Sequence, residues 1–156
     1  MAMYYSLVAE CGNNEKNYQR FAEHFCGLEL KLKRGLSTHC RTGSHQDCEG
    51  NWWVVVSPYG ISYASPFGDV EEFRNDEITK EVSFYLYEKL KTSPDFRYAI
   101  AGWEVDDFRY FSELDGDIIH FDFNGLVISQ DIWQQFERPN IFLPFREGYY
   151  WRPIHF

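Results

Sequence analysis

The order of apolar and polar segments predicts an α+β fold. It is a two-layer arrangement, with a mostly antiparallel sheet, two main helices on one face and an irregular C-terminal extension. Three observations carry that prediction. Short β-branched and aromatic runs recur at residues 3–9, 52–57 and 96–103. Two stretches between them repeat their apolar residues at helical spacing, and residues 28–33 alternate with a period of two. The resulting order, β-α-β-β-α-β, is that of a ferredoxin-like plait.

Each element follows from its residues. Met3 to Ala9 is a continuous apolar run, the pattern of a buried strand. Cys11-Gly12-Asn13-Asn14 interrupts it and supplies an Asn N-cap. Tyr18, Phe21, Ala22 and Phe25 then fall on one helical face, and Gly27 is placed to stop the helix. Leu28, Leu30 and Leu32 alternate with Glu29, Lys31 and Lys33, as in a strand covered on one side. Residues 35–51, rich in Gly, Ser, Thr and His, read as a polar loop. Trp52 to Ser57 is a third strand. The stretch 58–68, with two Pro and two Gly around Ile61-Ser62-Tyr63, reads as turn or short edge strand. Asn75 or Asp76 caps a second helix whose apolar positions are Ile78, Val82, Tyr85, Leu86 and Leu90, and which stops before Pro94. Phe96 to Trp103 is the fourth strand; its small residues Ala99, Ala101 and Gly102 mark a place of close packing.

The last third is less regular. Ile118 to Phe123 reads as a short strand, and Ser129 caps a short helix with Ile132, Trp133 and Phe136 on one side. Residues 138–156 contain three Pro and many rings, so they read as an extended tail docked on the domain. The whole length fits a single domain, with residues 1–103 as core plait and residues 104–156 as an acidic, aromatic extension packed on it.

Composition narrows the function classes. Of 156 residues 19% are aromatic, which argues against disorder. Residues 1–50 carry six acids and six bases, so the net charge of -9 comes entirely from residues 51–156. An acidic chain is a poor match for nucleic acid, whose affinity comes from Lys and Arg on phosphates, and for anionic membranes. No apolar run is long enough to span a bilayer and the first residues lack a secretory pattern, so a cytoplasmic setting is expected, with Cys11, Cys26, Cys40 and Cys48 as reduced thiols.

The segment from Glu104 to Asp122 is the most distinctive. It holds seven carboxylates (Glu104, Asp106, Asp107, Glu113, Asp115, Asp117, Asp122) against one Arg, interleaved with Trp103, Phe108, Tyr110, Phe111, Phe121 and Phe123. Charge of one sign mixed with rings suits a basic protein partner, which it can steer electrostatically and anchor by its rings. Candidate partner-binding residues are Trp103, Glu104, Asp106, Asp107, Tyr110, Glu113, Asp115 and Asp117. A second acidic patch lies at Asp69, Glu71, Glu72, Asp76 and Glu77.

Catalytic signals are thinner. His39, Cys40, His45 and Cys48 have the ligand chemistry of a tetrahedral zinc site, but the spacing matches no known module. Asp106-Asp107, Asp115-Gly116-Asp117 and the His120-Phe121-Asp122 pair could serve acid–base or metal chemistry; the latter would share one face of a strand. No phosphate-binding glycine loop and no nucleophile elbow is present. The sequence therefore points to a non-enzymatic cytoplasmic binding domain without cofactor, of which an immunity-type inhibitor of a basic toxin is the most concrete version. A small hydrolytic or metal-dependent enzyme and a homo-oligomeric structural protein, at its simplest a homodimer, are the alternatives.

Overall fold

The computed structural model describes residues 4–61 and 76–154. Among the described residues eight strands form one antiparallel sheet in the order β2-β3-β4-β1-β5-β6-β8-β7. They are β1 (Tyr5–Glu10), β2 (Glu29–Lys31), β3 (Ser37–Gln46), β4 (Trp52–Pro58), β5 (Tyr98–Trp103), β6 (Val127–Ser129), β7 (Leu143–Arg146) and β8 (Tyr149–Trp151). The helices described are α1 (Glu15–Phe25), α2 (Asp76–Leu90), α3 (Phe111–Asp117) and α4 (Gln130–Gln135).

The first helix forms as its sequence dictates. The Asn14 side chain accepts a hydrogen bond from the Lys16 amide at 2.9 Å, and Gly27 takes the positive φ of 73° that follows the helix end. Phe21 and Phe25 are fully buried, as are Val82, Leu86 and Leu90 of α2. The α2 N-cap expected at Asn75 lies outside the described residues, as do Asp69, Glu71, Glu72 and the part of the expected edge strand beyond Ile61.

Successive side chains of a strand point to opposite faces, and the core divides accordingly. Leu7 and Ala9 of β1, Val54 and Val56 of β4, and Ala99 and Ala101 of β5 join α1 and α2 in one apolar cluster. Val8, Trp53, Tyr98 and Ile100 join Leu114, Ile118, Ile132 and Phe136 in a second. The central strands are thus covered on both faces, where the sequence pattern gave helices on one. The difference lies in the last third of the chain, whose two short helices supply the second cover.

Three further expectations are corrected. Residues 37–46 are not loop but a ten-residue strand paired on both sides, to β2 and to β4. Only Thr38 and Cys40 of that strand are buried, so its composition carries little apolar signal; backbone pairing with its neighbours decides it. The residues that remain a turn are 47–51, held by the Asp47 carboxylate, which accepts from the Glu49 and Asn51 amides and from the Trp53 indole. Second, residues 118–123 form no strand: α3 runs to Asp117, and the His120 and Phe121 amides close a turn on the Asp117 carbonyl. Third, the tail is not merely docked. It folds into a hairpin, β7 and β8, turning at Gly148 with φ 81°, and extends the sheet of its own chain through β6. The short helix capped by Ser129 forms as expected, with Ile132 and Phe136 buried.

Both sheet edges are guarded. On the β2 side, Tyr85 donates its hydroxyl to the Lys31 carbonyl at 2.9 Å and Glu81 accepts from the Lys33 amide at 2.8 Å. On the other, β7 carries Pro144, which cannot donate to a further strand.

The four thiols divide in a testable way. Cys26 and Cys48 are exposed; Cys11 and Cys40 are buried. Burial pushes the Cys40 thiol up from 9.0 to about 12, and burial together with the Glu10 charge raises Cys11 further. At pH 8 an aromatic disulfide reagent is expected to titrate two thiols of the folded protein rapidly and all four after unfolding; rapid titration of four in the native state would contradict this packing. The raised thiols also set the sign of an alkaline effect. The unfolded chain ionises first, so the stability they contribute is present below pH 9 and declines as pH rises from 9 toward 12.

Candidate protein-binding face

The segment that follows β5 is fixed at three points before it reaches α3. Glu104 sits at φ 53°, in the left-handed region that side-chain-bearing residues rarely adopt, and its amide donates to the Tyr4 carbonyl at 3.0 Å. Val105 lies against Gly102, where a Cβ would meet its methyl at 3.0 Å; this is the close packing that the small residues of β5 signalled. Tyr98, buried in the sheet, donates its hydroxyl to the Arg109 carbonyl at 2.8 Å. Leu114 and Ile118 then anchor α3 in the second apolar cluster.

With the backbone so held, the seven carboxylates separate into two groups. Three have work within the fold. Glu113 caps α3 by accepting from the Tyr110 amide at 3.0 Å. Asp117 accepts from Arg109 Nε at 2.7 Å, and Asp122 pairs with Arg152 at 2.8 Å. The other four, Glu104, Asp106, Asp107 and Asp115, are exposed and make no ion pair among the described residues.

Apolar groups stand beside them. Ile119 is 62% exposed and Phe121 49%, both at the end of α3, and Tyr110 is exposed at its start. Arg109 lies over the Phe121 and Phe123 rings at 5.6 and 5.8 Å, which fixes these rings while leaving the outer face of Phe121 in water. Trp103, also expected at this face, is half-buried, edge-on to Tyr5 at 5.3 Å, and packs against the first cluster.

Sequence reading missed a contribution from the β3–β4 turn. Glu49 accepts from both the Ser112 amide and hydroxyl, at 3.2 and 2.7 Å, so the turn is tied to the first residues of α3. It brings Asp47, Cys48 and Glu49 beside Tyr110, whose phenol is raised chiefly by Cys48. The D-x-x-G pattern at Asp47–Gly50 is the local signal of this turn, and the polar residues of β3 before it obscure it.

The residues with catalytic or metal-binding chemistry are dispersed. His39 and Cys40 are neighbours on a strand and face opposite ways: Cys40 enters the first cluster while His39 stacks on Tyr59. His45 stacks on Trp53, and Cys48 is in the turn beyond. Among the described residues no group of three or more His, Cys, Asp or Glu side chains is placed to share a metal ion. His120 and Asp122 do not share a strand face, and Asp122 turns to Arg152 instead.

One polar constellation had no sequence expectation. Glu10, at the end of β1, has a fully buried side chain and receives Arg97 through Nε at 2.9 and 3.0 Å and through Nη2; the Gly12 amide also donates to it. A lone acid closing an apolar strand was the only hint.

Fold and face together define a single aromatic-rich α+β domain. Compared with protein-family models, curated proteins and solved structures, the chain matches none. No helix among the described residues is long and apolar enough to cross a membrane.

Proposed function

We propose that the chain is a non-enzymatic protein-binding domain whose acidic, aromatic face takes a basic protein partner, in the manner of an immunity-type inhibitor that neutralises a basic toxin. The observation that carries this reading is the juxtaposition along one short segment. Four carboxylates without an ion pair among the described residues stand with the exposed Tyr110, Ile119 and Phe121. Unpaired charge steers a partner over distance; exposed rings and aliphatic groups on a rigid helix end supply the anchor once contact is made. Within the eight strands, we read the run β3-β4-β1-β5, with α1 and α2 on one face, as a ferredoxin-like plait to which β2 and the C-terminal strands are added.

The test begins with native mass spectrometry of the tagged protein purified gently from its host cells, followed by stopped-flow binding to the partner recovered. A basic partner is expected, with an association rate that falls at least about tenfold between low and high salt. Reversing Asp106, Asp107 and Asp115 to Lys together should lower that rate by about tenfold or more, while Phe121→Ala raises the dissociation rate by roughly tenfold, about 1.4 kcal/mol. A complex indifferent to salt and to the charge reversals would defeat the proposal. So would a self-assembled homodimer with no other partner.

A further inference from the structure

We propose that a second site, away from the acidic face, binds a free α-amino acid in the groove at the start of β5. The groove has a volume of about 470 Å³, within the range of small-ligand pockets, and is lined by Arg97, Phe111, Tyr149, Asp95, Asp131 and Glu147 among others. Its floor is preorganised. Arg97 is gripped along one edge by the buried Glu10 through Nε and Nη2, and its guanidinium lies 4.1 Å from the centre of the Phe111 ring. The remaining nitrogen, Nη1, belongs to a side chain still 35% exposed. A buried ion pair is a poor stabiliser compared with apolar packing, so a fold gains little by keeping one merely to fill space. What it does gain is a guanidinium held in one orientation, the arrangement suited to a carboxylate.

The lining decides which carboxylate. Asp95, Asp131 and Glu147 outnumber Arg97, and of the three only Asp95 reaches a cation among the described residues, Arg146 at 3.8 Å. A simple anion is repelled by this rim, and a simple cation, though drawn to it, leaves the Arg97 Nη1 donor without an acceptor. A zwitterion satisfies both, its carboxylate on Arg97 and its ammonium toward Asp131 and Glu147. The Phe111 and Tyr149 rings give an apolar or aromatic side chain a surface on which to rest.

The experiment is a ¹⁵N NMR titration of the full chain with each standard free amino acid at up to about 10 mM, an affinity range in which weak small-ligand binding saturates. At least one apolar or aromatic amino acid is expected to shift the Gln130, Asp131 and Gly148 amides saturably. Its N-acetyl derivative and its carboxamide should each bind about tenfold more weakly or worse, since each loses one of the two charges. The exposed substitutions Asp131→Asn and Glu147→Gln, made together, should weaken the intact amino acid by a similar factor without broad spectral change. The proposal is overturned if no amino acid shifts these amides, if the capped derivatives bind equally, or if the double variant binds as the parent does.

Discussion

Gly125→Ala is expected to destabilise the domain by about 3 kcal/mol or more, lowering the melting temperature on the order of 10 °C. Gly125 holds φ at 83°, a conformation that costs a side-chain-bearing residue roughly 1–2 kcal/mol. Its surroundings leave no room either. A Cβ at this position would collide with the Tyr87 hydroxyl and approach Ile154 Cγ1 to 2.9 Å. That hydroxyl cannot simply retreat. It donates to the Gly125 carbonyl at 2.8 Å and accepts from the Ala101 amide at 3.0 Å, all in a buried setting. Moving it leaves buried backbone groups unpaired, at about 1–3 kcal/mol. Gly116→Ala is the control: it lies within α3 with nothing near its Cβ position, and should be neutral or slightly stabilising. Thermal unfolding of the two variants checks the argument, and equal melting temperatures for Gly125→Ala and the parent would refute it.

Arg97→Met is expected to cost about 3 kcal/mol, because it leaves the Glu10 carboxylate buried without its counter-ion. The lower end of the usual 3–5 kcal/mol applies, since Arg97 is 35% exposed and water can reach the vacated side. The more discriminating result comes from the double variant. Replacing both partners, Glu10→Gln with Arg97→Met, removes the orphaned charge and should recover on the order of 1–2 kcal/mol of the loss, seen as a coupling term in urea unfolding. Strict additivity of the two single changes would mean that the pair is not coupled energetically. The same variants separate stability from ligand binding: the double variant, though partly restored in stability, lacks the guanidinium that the proposed amino-acid groove requires.

The opening of the chain was largely legible from its residues. An apolar run, an Asn followed by a helical face of Tyr18, Phe21, Ala22 and Phe25, and a stop at Gly27 are local signals, and each acts locally. The same holds for the Val82-Leu86-Leu90 stripe of α2 and the Ser129 cap of α4. The charge segregation was equally plain, because charge is a sum over residues. The carboxylates themselves were identifiable; their division was not. That Glu113, Asp117 and Asp122 serve the fold while Glu104, Asp106, Asp107 and Asp115 face water depends on where Tyr110, Arg109 and Arg152 come to lie.

What the sequence determined by itself, then, is the α+β class, the helices with strong periodicity, and an acidic, ring-rich segment after β5. The tertiary structure alone decided that residues 37–46 are a strand, that the C-terminal tail completes the sheet, that both faces of the central strands are covered, and that Glu10 meets Arg97 across 87 positions of sequence. The physical reason is common to all four. Helical periodicity and capping are satisfied by neighbours within a turn or two. Strand pairing and buried ion pairs are instead satisfied by groups outside the element itself, from a neighbouring hairpin strand to a residue 87 positions away, so a polar stretch such as Ser37–Gln46 acquires its structure only from the backbones on either side.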